Sequence, residues 1–353
     1  MPPRHANQCV NNTNIYEYYV NDIYEADSRQ NRLFVHTNNL EQLDIQAVQQ
    51  IWGSLVGNTI AFSIQDKELL LNACRAFIFF RLLLLLAGLA LLTGCPASIL
   101  GGRVVAQDLA ARGGFKPIEI ETAPFVLSGW LRPGTGQTLH VYFEGDGLAW
   151  RSRTRPAMDP TPSNPVSLRL ALTDPTAEPV LYLARPCQYT EGEARRGCFT
   201  PVWTHERFSE QVVAAENEAV DQIKARLAAR STALYGYSGG GSVAVLVAAR
   251  RSDVVFLATV AGDLDHELWT RTHGVSPLTG SLNPADVARA VAHIPQLHVT
   301  GGADEIIPPE IADSYCARLG GAQVIRETLP GLGHDGAWEK SWPGLLSRYR
   351  SGN

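Results

Sequence analysis

From about Pro117 onward, short runs of β-branched, aliphatic and aromatic residues alternate with longer stretches whose apolar positions recur at helical spacing. The short runs predict strands at Ile118–Glu121 and Phe125–Leu131, turning at Thr122-Ala123-Pro124. Further strands are expected at Leu139–Glu144, Val180–Ala184, Ala233–Gly236, Val254–Val260, Leu297–Gly301 and Val324–Leu329. The longest helical pattern covers Glu206–Ala229, where Phe208, Val212, Val220, Ile223 and Leu227 fall on one face. A second helix is expected over Gly239–Arg250, with others between the late strands and at the C-terminus. This alternation predicts an α/β fold, a mostly parallel central sheet with helices on both faces.

Upstream the pattern changes. The first 74 residues hold 10 of the 14 asparagines and the remaining 279 hold 4, so the two stretches read as different units. Between them, Arg75 and Arg81 precede the 11-residue apolar run Leu82–Leu92 and then Thr93-Gly94-Cys95. That run falls short of the roughly 20 residues needed to span a bilayer, but it matches a signal-peptide h-region behind a positive n-region. Leu92-Thr93-Gly94-Cys95 resembles the lipobox of bacterial lipoproteins, which implies a lipid-modified Cys95 and attachment to the cell envelope. Pro96 differs from the aspartate that retains some lipoproteins at the inner membrane, so the outer membrane facing the periplasm is the expected site. The expected organisation is a non-native or disordered extension (1–74), a signal peptide (75–94), a loose Gly/Ala-containing tether (95–116) and a folded domain (117–353), with the true start near residue 70.

Composition narrows the function. Thirty Lys plus Arg against 35 Asp plus Glu give a net charge of −5, which leaves no basic excess for nucleic acid. A hydrophobic fraction of 45% is too high for a disordered chain. Six cysteines show no CxxC pair, no HExxH run is present, and neither metal nor cofactor is expected. Oligomeric state is not encoded. Cys187 and Cys198 bracket a ten-residue loop that a disulfide closes easily, in keeping with export from the reducing cytosol. Cys316 reads as a buried helix residue.

The sharpest chemical signal is Gly236-Tyr237-Ser238-Gly239-Gly240-Gly241, placed between an expected strand and an expected helix. A G-x-S-x-G turn exposes its serine only if the flanking positions are small enough for strand and helix to pack closely. A flexible linker is the competing reading, and the apolar flanks Ala233-Leu234-Tyr235 and Val243–Ala249 speak against it. Downstream, Asp304 follows the strand Leu297–Gly301 and a Gly turn, and His334 sits in the loop Leu329–Gly336. Serine, acid and histidine in that chain order suit a proton-relay triad.

On these motifs the chain resembles the α/β-hydrolase family over roughly residues 117–350, most closely bacterial lipoprotein-type hydrolases. The resemblance implies Ser238 as nucleophile, His334 as general base and Asp304 as the carboxylate that orients it. Asp263 is an alternative acid position. It also implies an oxyanion hole from the backbone N–H of Gly239 and, by register, of Asp146, with Gly147 as the other choice. The family often has His-Gly where this chain has Glu144-Gly145. The Asp146 side chain should then point away from the developing oxyanion or pair elsewhere. Arg151, Arg153 and Arg155 are candidates to pair with it or to bind an anionic group, although exposed loop arginines are more often only solvated. The expected activity is hydrolysis of a carboxylic ester or related acyl bond through an acyl-enzyme. A peptidase or thioesterase would use the same triad. The rival class is a non-catalytic envelope lipoprotein that binds through the same fold.

Overall fold

A computed structural model describes residues 101–320 and 324–350. The extension 1–74, the apolar run and Cys95 lie outside the described residues.

The first described element corrects the expected tether. Gly101–Arg112 is a helix, α1, with Ala106 and Ala110 fully buried. Its glycines stand at or beyond its ends, and Gly114 takes φ +75° just past it, so they bound the helix rather than loosen it. The alanines between have high helix propensity, and two of them one turn apart let α1 lie flat on the domain.

Strands β1 (Lys116–Glu121) and β2 (Val126–Arg132) form the expected antiparallel pair. After β3 (Thr138–Phe143) the chain makes a small hairpin, β4 (Trp150–Ser152) with β5 (Arg155–Pro156), and a short helix α2 (Val166–Leu172). Neither was expected, because both are too short to show a period. Next come β6 (Val180–Leu183), α3 (Glu210–Leu227), β7 (Ser231–Tyr237), α4 (Gly239–Ala248) and β8 (Val254–Val260). The chain ends with α5 (His266–His273), β9 (Gln296–Gly301), α6 (Pro309–Arg318), β10 (Val324–Leu329) and α7 (Trp342–Arg350). Helix α3 starts four residues later than the apolar pattern predicts, because Ser209 caps it by accepting from the Val212 N–H.

Ten strands make two sheets among the described residues, the large one in the order β1-β2-β6-β3-β7-β8-β9-β10. From β6 to β10 every neighbouring pair is parallel, and β1 and β2 add an antiparallel edge. Side chains alternate between two cores. Leu139, Val141 and Phe143 of β3 face a core shared with α3, α4 and α6, whereas Tyr142 faces the other with α1, α2 and α7. Helix α4 is buried on all sides, which explains why its sequence is apolar throughout rather than amphipathic. Among the described residues no helix is long and apolar enough to cross a membrane.

Candidate active site

The carboxyl ends of parallel strands are where an open α/β sheet places its ligands. Here β7 ends and α4 begins at Ser238, whose φ of 51° and ψ of −124° are strained for a residue with a side chain. The neighbouring glycines are sterically required. A Cβ on Gly236 would lie 2.1 Å from the Gly240 carbonyl oxygen, and one on Gly240 would lie 2.3 Å from that of Phe143. The turn presses strand against helix and leaves the serine half-buried at its tip.

Two loops bring the remaining groups to it. Ser238 Oγ lies 3.0 Å from His334 Nε2, and His334 Nδ1 lies 2.9 Å from Asp304 Oδ2. A carboxylate only accepts, so Nδ1 carries the proton and Nε2 is left to accept from the serine. The buried Asp304 is itself fixed, its Oδ1 accepting from the N–H groups of Ile306 (2.9 Å) and Ile307 (2.8 Å). The main-chain carbonyl of His334 accepts from the Tyr237 hydroxyl (3.1 Å) and the Trp338 indole (2.7 Å), which fixes the loop without engaging the ring.

Asp263 does not reach the histidine. Its N–H donates to the Ser238 carbonyl at 3.0 Å, its carboxyl is buried, and Oδ1 has no hydrogen-bond partner. Burial first, then the negative charge of Asp146, pushes its pKa up to about 8 against the opposing Arg207. A second imidazole–carboxylate pair, His140 Nδ1 to Asp174 Oδ2 at 2.6 Å, is fully buried under α7 and shares Asp174 with the Tyr142 hydroxyl. Burial alone would raise Asp174, but the His140 hydrogen bond and charge outweigh it and hold the carboxyl below its ordinary range. That pair braces the core.

The loop after β3 lies over the serine turn. A Cβ on Gly145 would touch the Ser238 Cβ at 3.3 Å. Gly239 opens α4, where main-chain N–H groups have no partner within the helix. Asp146 does pair elsewhere, but not with the arginines of its own loop and not by pointing away. Arg151, Arg153 and Arg155 are exposed, and none is bonded to it. Its partners are Arg185 Nη1 at 3.2 Å and Arg207 Nη1 at 2.5 Å, and its carboxylate rests on Gly239, 2.2 Å from where a Cβ would stand. Glu144 is an internal brace. It accepts from the Gly145 N–H (2.8 Å) and the Tyr182 hydroxyl (2.9 Å), and burial pushes it up to about 7.

Arg185, Arg207 and Gln188 were not singled out from the sequence. Gln188 ties the two loops together, donating to the Gly145 carbonyl at 2.9 Å and accepting from the Arg185 N–H at 3.1 Å. The available signal was that Arg185 follows the carboxyl end of β6. Cys187 and Cys198 form the expected disulfide beside this loop. Cys316 is free and only partly buried, and burial raises its thiol to about 12. Among the described residues no group of His, Cys, Asp and Glu could hold a metal ion.

The buried acids make stability depend on pH. Glu144, Glu216 and Asp263 are raised from ordinary values near 4 to about 7, 8 and 8, chiefly by burial. The folded state therefore holds protons the unfolded chain has lost, and stability falls as pH rises toward 8. His298 and His266 are lowered by burial and oppose this only below their ordinary 6.5. Stability is thus expected to fall as pH rises from about 5 toward 8 and to level off above that, each acid adding up to about 1.4 kcal/mol per pH unit to the slope. Urea unfolding across that range checks it, and Glu216→Gln should flatten the slope.

With this sheet order, the sharp serine turn and the histidine after the last strand, the chain has the α/β-hydrolase fold. It superposes on the Pyrococcus horikoshii acylaminoacyl peptidase with a TM-score of 0.50 and 13% identity, covering 67% of this chain and 40% of that one. A Pyrococcus furiosus esterase gives a TM-score of 0.49 and 14% identity over 69% of this chain and 93% of that one. An α/β serine hydrolase homologue from Coxiella burnetii gives 0.45 and 16% over 66% and 96%. At such identities the likeness concerns the fold alone. No family model matches the chain, and no curated protein matches its sequence.

Proposed function

We propose that this protein is a serine hydrolase acting on a carboxylic ester or related acyl bond. The observation that carries the reading is the unbroken relay from Ser238 Oγ through His334 to the buried Asp304. Ser238 attacks the acyl carbon while His334 Nε2 takes its proton, and Asp304 stabilises the imidazolium as it forms. The carbonyl oxygen, now negative, is met by the N–H of Gly239 and by the loop at Asp146. His334 then protonates the leaving group, the acyl-enzyme forms, and water repeats the sequence to release the acid.

Ester is preferred over peptide or thioester by analogy with other proteins of this fold and not from the site itself. The rival reading, a protein that only binds, predicts a serine and histidine set well apart, beyond about 5 Å. Their 3.0 Å separation supports the catalytic reading. Anchoring to the envelope through Cys95 is part of the same proposal and rests on residues 75–95 of the sequence. The test is covalent labelling of Ser238 by a fluorophosphonate, with Ser238→Ala as the control.

A further inference from the structure

The three members of the candidate triad are restrained in different ways. Ser238 stands in the turn that β7 and α4 impose on it, and the His334 loop is held at its carbonyl by Tyr237 and Trp338. Asp304 takes its orientation from the N–H groups of Ile306 and Ile307, so its carboxylate is only as fixed as that stretch of backbone. Ile307 is buried, whereas Ile306 is 52% exposed, so packing contributes little there.

Ile306 is held instead by its carbonyl. That oxygen accepts from two side chains of α5 at once, Trp269 Nε1 at 2.7 Å and His273 Nε2 at 3.0 Å. A carbonyl only accepts, so the histidine carries a proton on Nε2. The two donors stand one turn apart on the helix with ring centroids 5.2 Å apart, and together they grip the oxygen from one face. The helix itself is well anchored. Asp265 caps it by accepting from the Leu268 N–H at 3.2 Å. The same buried carboxylate takes Asn283 Nδ2 (3.1 Å), Ser314 Oγ (2.6 Å) and Arg318 Nη2 (3.2 Å).

We infer that Trp269 and His273 are positioning residues of the hydrolase site, which hold the acid loop through the Ile306 carbonyl so that Asp304 meets His334 Nδ1. This rests on the hydrolase reading above and deepens it. Both residues act through a carbonyl two positions beyond the acid. What they supply is orientation, and orientation decides how well Asp304 stabilises the imidazolium as the serine attacks.

The test removes the two donors singly and together. Trp269→Phe keeps the aromatic ring and loses the N–H, His273→Ala loses the other donor, and the double variant frees the carbonyl. Each single variant leaves one donor in place and should lower kcat/KM for 4-nitrophenyl acetate by about threefold or less, whereas the double variant should lower it by about tenfold or more. In the Trp269→Phe background, His273→Gln keeps a donor and should restore most of what alanine loses. A proton NMR signature separates positioning from general damage. The Nδ1 proton that His334 shares with Asp304 gives a low-field signal, identified by its absence in His334→Ala, and it should weaken or move upfield in the double variant. The buried His140–Asp174 pair supplies a second such signal, which should stay unchanged along with the unfolding midpoint. A double variant with kcat/KM within about twofold of wild type, or with an unchanged His334 signal, would overturn the inference and leave the hydrolase reading standing. Loss of both signals with a lowered midpoint would overturn it too, by giving the two donors a merely structural role. A folded wild type with no Ser238-dependent turnover and no fluorophosphonate label would overturn the hydrolase reading and this inference together.

Discussion

Replacing His334 with alanine is expected to lower kcat/KM for any ester this protein cleaves by about 10⁴-fold or more, with little change in unfolding midpoint. The contrast comes from how the residue is held. Its ring hydrogen-bonds to Ser238 and Asp304 and lies 5.2 Å from the Tyr237 ring, whereas its carbonyl, which the substitution preserves, takes the hydrogen bonds of Tyr237 and Trp338 that hold the loop. Asp304 keeps its two main-chain donors and so stays in place without the imidazole. Steady-state kinetics and thermal unfolding on the same preparation check both halves. Activity within tenfold of wild type would mean that another group deprotonates the serine.

Gly240→Ala should have the largest effect on the fold. A Cβ there meets the carbonyl oxygens of Phe143 at 2.3 Å and Glu144 at 2.6 Å, both main chain at the end of β3. Neither moves without shifting the strand or the loop over Gly239, and overpacking against backbone costs about 3 kcal/mol or more. Urea unfolding is the measurement, with Gly344→Ala as the control. Gly344 has nothing within 4 Å of a Cβ and lies in α7, so alanine there should stabilise by roughly 0.5–1 kcal/mol. Equal effects at the two positions would contradict the close strand–helix contact on which the serine turn depends.

These two residues also show what the sequence could and could not say. The serine turn was legible because its requirements are local, with small residues at fixed offsets between a strand pattern and a helix pattern. Asp304 and His334 were legible because each follows a strand of clear apolar character, and chain order did the rest. The strands of the large sheet were readable to within a residue or two for the same reason. Arg185 and Arg207 were not, because their role exists only after the loop from β6 and the turn before α3 meet over Asp146. The neighbouring Arg151, Arg153 and Arg155, nearer in sequence, are exposed, as expected of loop arginines. Helix α1 was misread as a tether because glycine pairs flank it. Those pairs mark helix ends as readily as loose chain, and only the burial of Ala106 and Ala110 tells the two apart.

The central claim is that Ser238 is an activated nucleophile. Its most direct test is intact-mass analysis of the protein after brief exposure to a fluorophosphonate, with Ser238→Ala treated in parallel. A single adduct is expected on the wild type, mapped by peptide mass to Ser238, and none on the variant. A folded wild type that acquires no adduct, or an adduct that persists in Ser238→Ala, would contradict it.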